Sequence, residues 1–476
     1  MKQLFRTIVC GAFLLMSIII FTSCEGALDD IFGEWSRPTP AEMPPAQTIS
    51  FAESEKWWGT EDGKFTLAVT NTGDGVVTYS SSNPSAASVD PTTGEVTPGT
   101  VTSTTDVIIT ATVADSKNAT YPTKTAQYTL KVGKGYRYLT WDDTSKKLVY
   151  HFDYPASDND FIDSNTGAES KLASGGGVKF VKGNVTINAI STDITIGNDL
   201  LLVLLDGAKL EINGQLKMYS IPTSPVLSIS AQSEGDKKGE LVVKSSNDAF
   251  YCGKGMNIYG GKITAENTET SGNHGIGVVN SPLNIYGGDV TAKGGDSATS
   301  SGGNGIRGYA GILITGKAIV NATGGNSTSN DGGHGISGTV TISGEAQVIA
   351  KGGSTDATDK PGGNGISFLT IEDNAYVKAQ GGDTNYTGSN GSYGILSLTY
   401  KRGTFEAYGG KDGSGTTYRY GIKNTLTNES SAPVTFETSS DGETWDGSYT
   451  LTNVSPGNSV TISSTSSLQK RGIRKL

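Results

Sequence analysis

The chain has 476 residues, enough for more than one domain, and holds 65 glycines with only 18% charged residues, which argues against a helix-rich enzyme. Its net charge of -10 argues against nucleic acid or an anionic membrane surface as partner. It also disfavours polyanionic sugars, unless calcium bridges the two.

Residues 1–23 read as a lipoprotein signal peptide. Lys2 and Arg6 supply the positive end, and the apolar stretch from Ile8 to Phe21 is short for a transmembrane span. Phe21-Thr22-Ser23-Cys24 resembles a bacterial lipobox, in which Cys24 becomes the lipidated first residue. The alternative is an ordinary cleaved signal with an incidental cysteine. Glu25, Asp29 and Asp30 resemble the surface-export signal of lipoproteins from gut-dwelling Gram-negative anaerobes. These resemblances imply an outer-membrane lipoprotein exposed on the cell surface, touching the membrane only through its lipid. Cys10 leaves with the signal, so Cys252 stands alone and is expected as a small buried residue rather than a nucleophile. Residues 24–47, with Pro38, Pro40, Pro44 and Pro45, form a semi-extended tether.

Residues 48–133 alternate as strands in Phe65 to Val69, Val107 to Val113 and Tyr128 to Val132, with turns at Thr72 to Gly75 and at Thr93-Gly94. This spacing suits an Ig-like β-sandwich. The stretch Val77 to Asp90, then Gly94-Glu95-Val96, resembles the bacterial Ig-like domains of surface proteins, which implies a spacer or a modest adhesive module. Trp57-Trp58 is either a sugar platform or aromatic edge packing. Residues 134–172 are an aromatic-rich connector, expected to cap the open N-terminal end of the next domain; His151 within it stands alone and reads as structural.

Residues 173–430 carry a repeat. Ile263-Thr264-Ala265, Val290-Thr291-Ala292, Val320-Asn321-Ala322, Val348-Ile349-Ala350, Val377-Lys378-Ala379 and Phe405-Glu406-Ala407 recur at 27, 30, 28, 29 and 28 residues. Apolar positions two apart are strand periodicity, and the Gly-Gly pairs that follow read as turn punctuation. Short strands on a fixed period predict an all-β chain: a parallel β-helix of about 28–30 residues per coil, behind the Ig-like sandwich. The Val/Ile/Phe and Ala columns should point inward. Leu200 to Leu205 is apolar on both faces, so another segment should cover it. Leu205 to Gly214, Gly239-Glu240-Leu241 and Ile258-Tyr259-Gly260-Gly261 resemble a family of bacterial surface β-helix proteins. That resemblance implies carbohydrate binding, in some members with calcium. Residues 431–476 suggest a strand-rich cap, and Lys470, Arg471, Arg474 and Lys475 a solvated, frayed basic tail.

Chemistry is harder to place. Gly333-His334-Gly335 resembles the Gly-His-Gly of polygalacturonases, but the Asn-Thr-Asp, Asp-Asp and basic-Ile-Lys those enzymes need are missing at coil spacing; Asp142-Asp143 lies outside the repeats. His334 also shares its repeat position with His274, Asn304 and Asn364, as in a polar stacking ladder. His274 and His334 stand two coils apart, ~9–10 Å, too far for one zinc ion. Asp296, Asn326 and Asp383, each after Gly-Gly and with Ser354 between the last two, are candidate calcium ligands, though ordinary turn chemistry accounts for them as well. No other metal or cofactor is expected. Tyr259 and Tyr286, one circuit apart and outward-facing, and Tyr408 beside its Gly-Gly are candidate glycan-binding rings; cross-strand stacking is the competing account. The expected function is a non-catalytic, surface-anchored protein that binds a polysaccharide or cell-surface glycan along one wall. Two alternatives stay open: a pectinase- or lyase-like β-helix enzyme, which needs carboxylates or a Lys/Arg clustered over two or three coils, and a purely structural surface protein.

Overall fold

The computed structural model describes residues 47–476 except 74, 115–122, 175, 219–224, 386–391, 414–418, 431, 452–457 and 462–467. The expected signal peptide, Cys24 and the expected tether up to residue 46 lie outside the described residues.

The predicted parallel β-helix is present, as a solenoid of about eight turns. Each coil has three walls. In the second full repeat, wall one is Leu283–Ile285, wall two Asp289–Lys293 and wall three Ile306–Gly308. Coil stacks on coil in parallel register, residue over equivalent residue. In later coils walls three and one join as bent strands such as Ile336–Ile342 and Ile366–Ile371. The two inward columns are as expected. Ile263, Val290, Val320, Val348, Val377 and Phe405 are fully buried, and Ala265 to Ala407 at the matching positions are at most 1% exposed. Alanine fits because the cross-section is narrow there. Cys252 is one more buried core residue, and burial pushes its thiol up to about 12.

The Gly-Gly pairs are not turn punctuation. Between walls two and three the chain makes a thin flap, in which two passages of backbone lie side by side. Gly303 N donates to Gly295 O (2.8 Å), Gly325 N to Gly303 O (2.7 Å), Gly333 N to Gly325 O (2.8 Å), Gly353 N to Gly333 O (2.8 Å) and Gly363 N to Gly353 O (2.8 Å). The flaps of successive coils thus share one hydrogen-bonded ladder. None of these glycines has positive φ. They are glycine because backbone lies where a Cβ would stand.

Segment 134–172 divides its work. Phe161–Ile162 and the helix Ala168–Ala173 close the N-terminal end, with Ile162, Ala168 and Leu172 fully buried. The rest is a hairpin of Tyr136–Asp142 and Lys147–Asp153, and it lies along the solenoid instead of across its end. Tyr136 packs on Phe180 (5.4 Å), which pairs with Val203 in the doubly apolar strand Leu200–Leu204. Ser230 Oγ accepts from Leu139 N (3.0 Å) and donates to Leu139 O (2.6 Å). The tip reaches Gly316 through Trp141. The cover expected over Leu200 to Leu205 is therefore this hairpin.

Among its described residues the N-terminal unit has three sheets, the short pair Ile49–Phe51 and Val69–Asn71 and two larger ones. One of the larger two orders Glu55–Gly59, Lys124–Gly133, Thr105–Ala114 and Val76–Ser81; the other orders Phe65–Thr66, Glu95–Pro98 and Ala87–Val89. They share a core of Ala87, Val96, Val107, Ile109, Leu130 and Val132. A buried clamp ties this unit to the hairpin and the solenoid. Arg137 donates to Trp57 O (2.7 Å) and Gln232 O (3.0 Å) and stands 3.4 Å from the Asp62 carboxylate, to which Gln232 Nε2 also donates (2.7 Å). Burial pushes the Asp62 carboxyl up, and Arg137 opposes the shift.

At the other end the chain reverses. Asn458–Thr461 pairs antiparallel with wall one, and Gly472–Lys475 with wall two at Phe405 to Tyr408. Phe436 seals the core against Tyr400 (5.7 Å) and Phe405 (5.9 Å). The basic tail is not frayed: Ile473 is fully buried, and Arg474 pairs with Glu437 (2.6 Å) across the ring of Trp445 (4.1 Å). An antiparallel last strand ends the stack by pairing an edge that would otherwise stay open.

Candidate functional site

The structure brings Tyr259 and Tyr286 together, 5.5 Å apart at 10°. It does not leave them bare. Trp141 of the hairpin stacks on Tyr286 at 4.8 Å and 20°. Both tyrosines are half-buried, and burial pushes their hydroxyls up. The glycines beside them make room for the hairpin: a Cβ on Gly287 would come within 2.8 Å of Leu148 Cδ1. Tyr408 is not part of this group. It lies on wall two four coils on, edge to face with Trp445 at 5.9 Å, its hydroxyl donated to Glu406. Trp57 stacks on Phe152 (5.8 Å), and Trp58 lies under the Arg137 guanidinium (3.9 Å), so both belong to the clamp.

The calcium candidates form a ladder along the flaps. Asp296 Oδ1 accepts Asn326 N (2.7 Å), Asn326 Oδ1 accepts Ser354 N (2.8 Å), Ser354 Oγ accepts Asp383 N (3.1 Å) and Asp383 Oδ1 accepts Lys411 N (2.8 Å). Each side chain spends an oxygen on the coil above. Among the described residues no three His, Cys, Asp or Glu side chains gather as a metal site.

The histidine column is a second ladder, as its repeat position implied. Asp248 Oδ1 accepts His274 N (2.6 Å), His274 Nδ1 accepts Asn304 N (3.0 Å), Asn304 Oδ1 accepts His334 N (2.8 Å), His334 Nδ1 accepts Asn364 N (2.9 Å) and Asn364 Oδ1 accepts Tyr393 N (3.0 Å). A histidine can take the place of an asparagine here only while its ring is neutral. Burial lowers both, His274 to about 4.

At the foot of this ladder lies a cleft of about 360 Å³, lined by Asp248, Tyr251, His274, Gly277 to Asn280, Arg307 and Tyr309. Its shape follows from one missing side chain. The outward column of wall three runs Tyr251, Gly277, Arg307 in register. Gly277 leaves a gap one coil high between a tyrosine and an arginine, which stand ~10 Å apart by the coil spacing. The Asp248 carboxylate sits over that gap, 2.7 Å from where a Cβ of Gly277 would be. Burial pushes the Asp248 carboxyl up, while the His274 N–H and Arg307 favour its charged form. Arg307 lies over the ring of Tyr309 (4.3 Å) and reaches His274 Nε2 (2.8 Å).

That last contact leaves a donor to spare. A neutral imidazole has one acceptor nitrogen. Two donors compete for it, Asn304 N–H at Nδ1 and the Arg307 guanidinium at Nε2. With the Asn304 N–H on Nδ1, as in the ladder, the proton lies on Nε2, and the Arg307 N–H that faces it remains for an incoming oxygen. A larger hollow of about 420 Å³ lies under the hairpin tip, lined by Trp141, Lys146, Lys147, Glu234, Lys317 and Glu345. Its Lys146 is 71% exposed and paired with Asp143, so it holds solvated charge rather than preset donors. We take the Arg307 cleft as the site for that reason.

Sequence reasoning missed Asp248, Arg307, Tyr251 and Tyr309. A signal was present: Arg307 is the single arginine between Arg137 and Arg402. No protein-family model matches the chain, and no curated protein matches it.

Proposed function

We propose that the chain is a surface-anchored, non-catalytic glycan-binding protein whose sugar site is the cleft of Asp248, His274, Gly277 and Arg307. The observation that supports this most is the spare donor at Arg307 beside a carboxylate acceptor, in a cleft that two tyrosines also line. Adjacent hydroxyls of a sugar need one acceptor and one donor, and its C–H face packs on an aromatic ring. The opposite charges of Asp248 and Arg307 offset, and the net charge of -10 repels polyanions, so the ligand is a neutral polysaccharide or cell-surface glycan. The N-terminal unit is an Ig-like spacer in this reading, supported by its short-stranded sheets around one apolar core. Calcium is not required.

An array of neutral and acidic glycans, read with calcium and with chelator, tests the proposal. Neutral glycans should bind under both conditions. Asp248→Asn and Arg307→Ala should each weaken binding about tenfold or more, since hydrogen bonds to charged groups contribute about 1.5–3 kcal/mol. An array with no bound sugar, or variants that bind as the parent does, would leave a structural role.

The same cluster favours a second reading, cleavage of a polysaccharide. Asp248, His274 and Arg307 come from three successive coils, and a carboxyl raised by burial is suited to proton transfer. Shortened chains after incubation with pectin or a neutral polysaccharide, lost in Asp248→Asn, would replace the binding role by this one.

Anchoring through lipid on Cys24 is the other half of the proposal, and it rests on Phe21 to Cys24. Cys24→Ala should move the protein out of the outer-membrane fraction. A variant that still fractionates there would remove the anchor from the account.

A further inference from the structure

We infer that the cleft is one end of a longer track, and that its ligand is an extended, neutral, β-linked polysaccharide lying along the solenoid axis. This rests on the reading of the cleft as a sugar site.

The track is the corner where wall three turns into wall one. Tyr309 is 62% exposed and Phe368 is 48% exposed, two of the most exposed large apolar side chains on the solenoid. Single exposed rings are ordinary on a protein surface. These two stand on the same corner, two coils apart. Arg307 pairs with Ser337, Thr339 pairs with Phe368, Phe368 with Ser397 and Ser397 with Thr425. Tyr309 lies on the preceding coil in the longer turn between Arg307, which pairs with Ser337, and Ile312, which pairs with Val340; Thr339, Phe368, Ser397 and Thr425 stack on the coils that follow. The two rings stand two coils apart, ~10 Å.

The column between and beyond the rings holds the small uncharged side chains Thr339, Ser397 and Thr425, with Lys423 beside it only at the far end. Thr339 is exposed, and Ser337 and Ser367 flank the line beside it. Wall two differs, with Lys262, Glu266, Lys293, Lys351, Lys378 and Glu406 outward. The corner between walls one and two is taken by the hairpin, with Leu139 held at Ser230 and Trp141 on Tyr286. The hairpin leaves corner three–one open, and the corner is continuous with the cleft, since Tyr309 lines both; its charged side chains are Arg307 in the cleft and Lys423 at the far end.

The spacing selects the ligand. A sugar in an extended β-linked chain advances by about one coil spacing, ~5 Å. Alternate sugars then present the same face, so every second coil is where a ring should stand. Tyr309 and Phe368 meet that period, and a helically coiled α-linked chain does not.

Binding of cellohexaose, mannohexaose, maltohexaose and cellobiose to the full chain tests this, with Phe368→Ala as the variant, because Phe368 lies two coils from the cleft. A β-linked hexasaccharide should bind more tightly than cellobiose and more tightly than maltohexaose. Phe368→Ala should weaken hexasaccharide binding about tenfold and cellobiose binding by less than about twofold, with the circular dichroism spectrum unchanged. Arg307→Ala should weaken both ligands. Loss in Arg307→Ala without loss in Phe368→Ala would overturn the track and leave the cleft standing. Retained binding in Arg307→Ala, or no binding of any of these sugars, would remove the cleft itself and the track with it.

Discussion

Gly363→Ala is expected to be among the most damaging single-methyl changes in this chain, at a cost of about 3 kcal/mol or more. The added Cβ would stand closer to the Gly333 carbonyl oxygen than carbon atoms approach oxygen. The obstacle is backbone, and that backbone is itself bonded: Gly333 donates to Gly325 and accepts from Gly353. It cannot move aside without pulling the flaps above and below. Gly197→Ala is the matched control, because nothing lies within 4 Å of its Cβ position and its φ is not positive. That change should stay within about 0.5 kcal/mol of the parent. Urea melts of the two variants decide the matter. Equal midpoints would mean that the flaps open independently of the walls and the ladder does not hold them.

Acid should weaken the solenoid through its histidines. The direction follows from linkage. The His274 ring has a folded pKa of about 4 against an ordinary 6.5, so the unfolded chain binds its proton first. The stability this supplies is whole above about pH 6.5 and is lost as pH falls toward 4. For one histidine the loss is on the order of 2–3 kcal/mol, and His334, lowered for the same reason of burial, adds to it. The charged neighbours are Asp248 and Arg307 for His274, and Asp331 and Arg307 for His334. Carboxylates elsewhere also titrate in this window, so the variant is what isolates the effect. In the double variant His274→Asn with His334→Asn, an amide oxygen can accept the same N–H, as Asn304 and Asn364 already do. Melting temperatures of parent and double variant at pH 7 and pH 4.5 should show a much smaller drop for the variant. The same drop in both would place the acid sensitivity outside the ladder.

Much of the fold was legible from residue order alone. Val290 and Ala292 differ by two, and their copies recur at near-constant spacing, so inside and outside follow from strand alternation and the stacking register from the period. The same logic placed His274, Asn304, His334 and Asn364 in one column and Tyr259 over Tyr286. Alternation says which side chains point out, and it says nothing of what lies on them. Whether Tyr286 meets solvent or Trp141 depends on where a hairpin more than a hundred residues earlier comes to rest, and Arg137, Asp62 and Gln232 decide that. The Gly-Gly pairs misled because glycine serves two ends, a left-handed turn and a close backbone approach, and residue type does not distinguish them. The cleft was hidden for a related reason. It is made by the side chain Gly277 lacks and by the reach of Arg307 back across one coil to His274, 33 residues away, a contact that exists only once the coils are stacked.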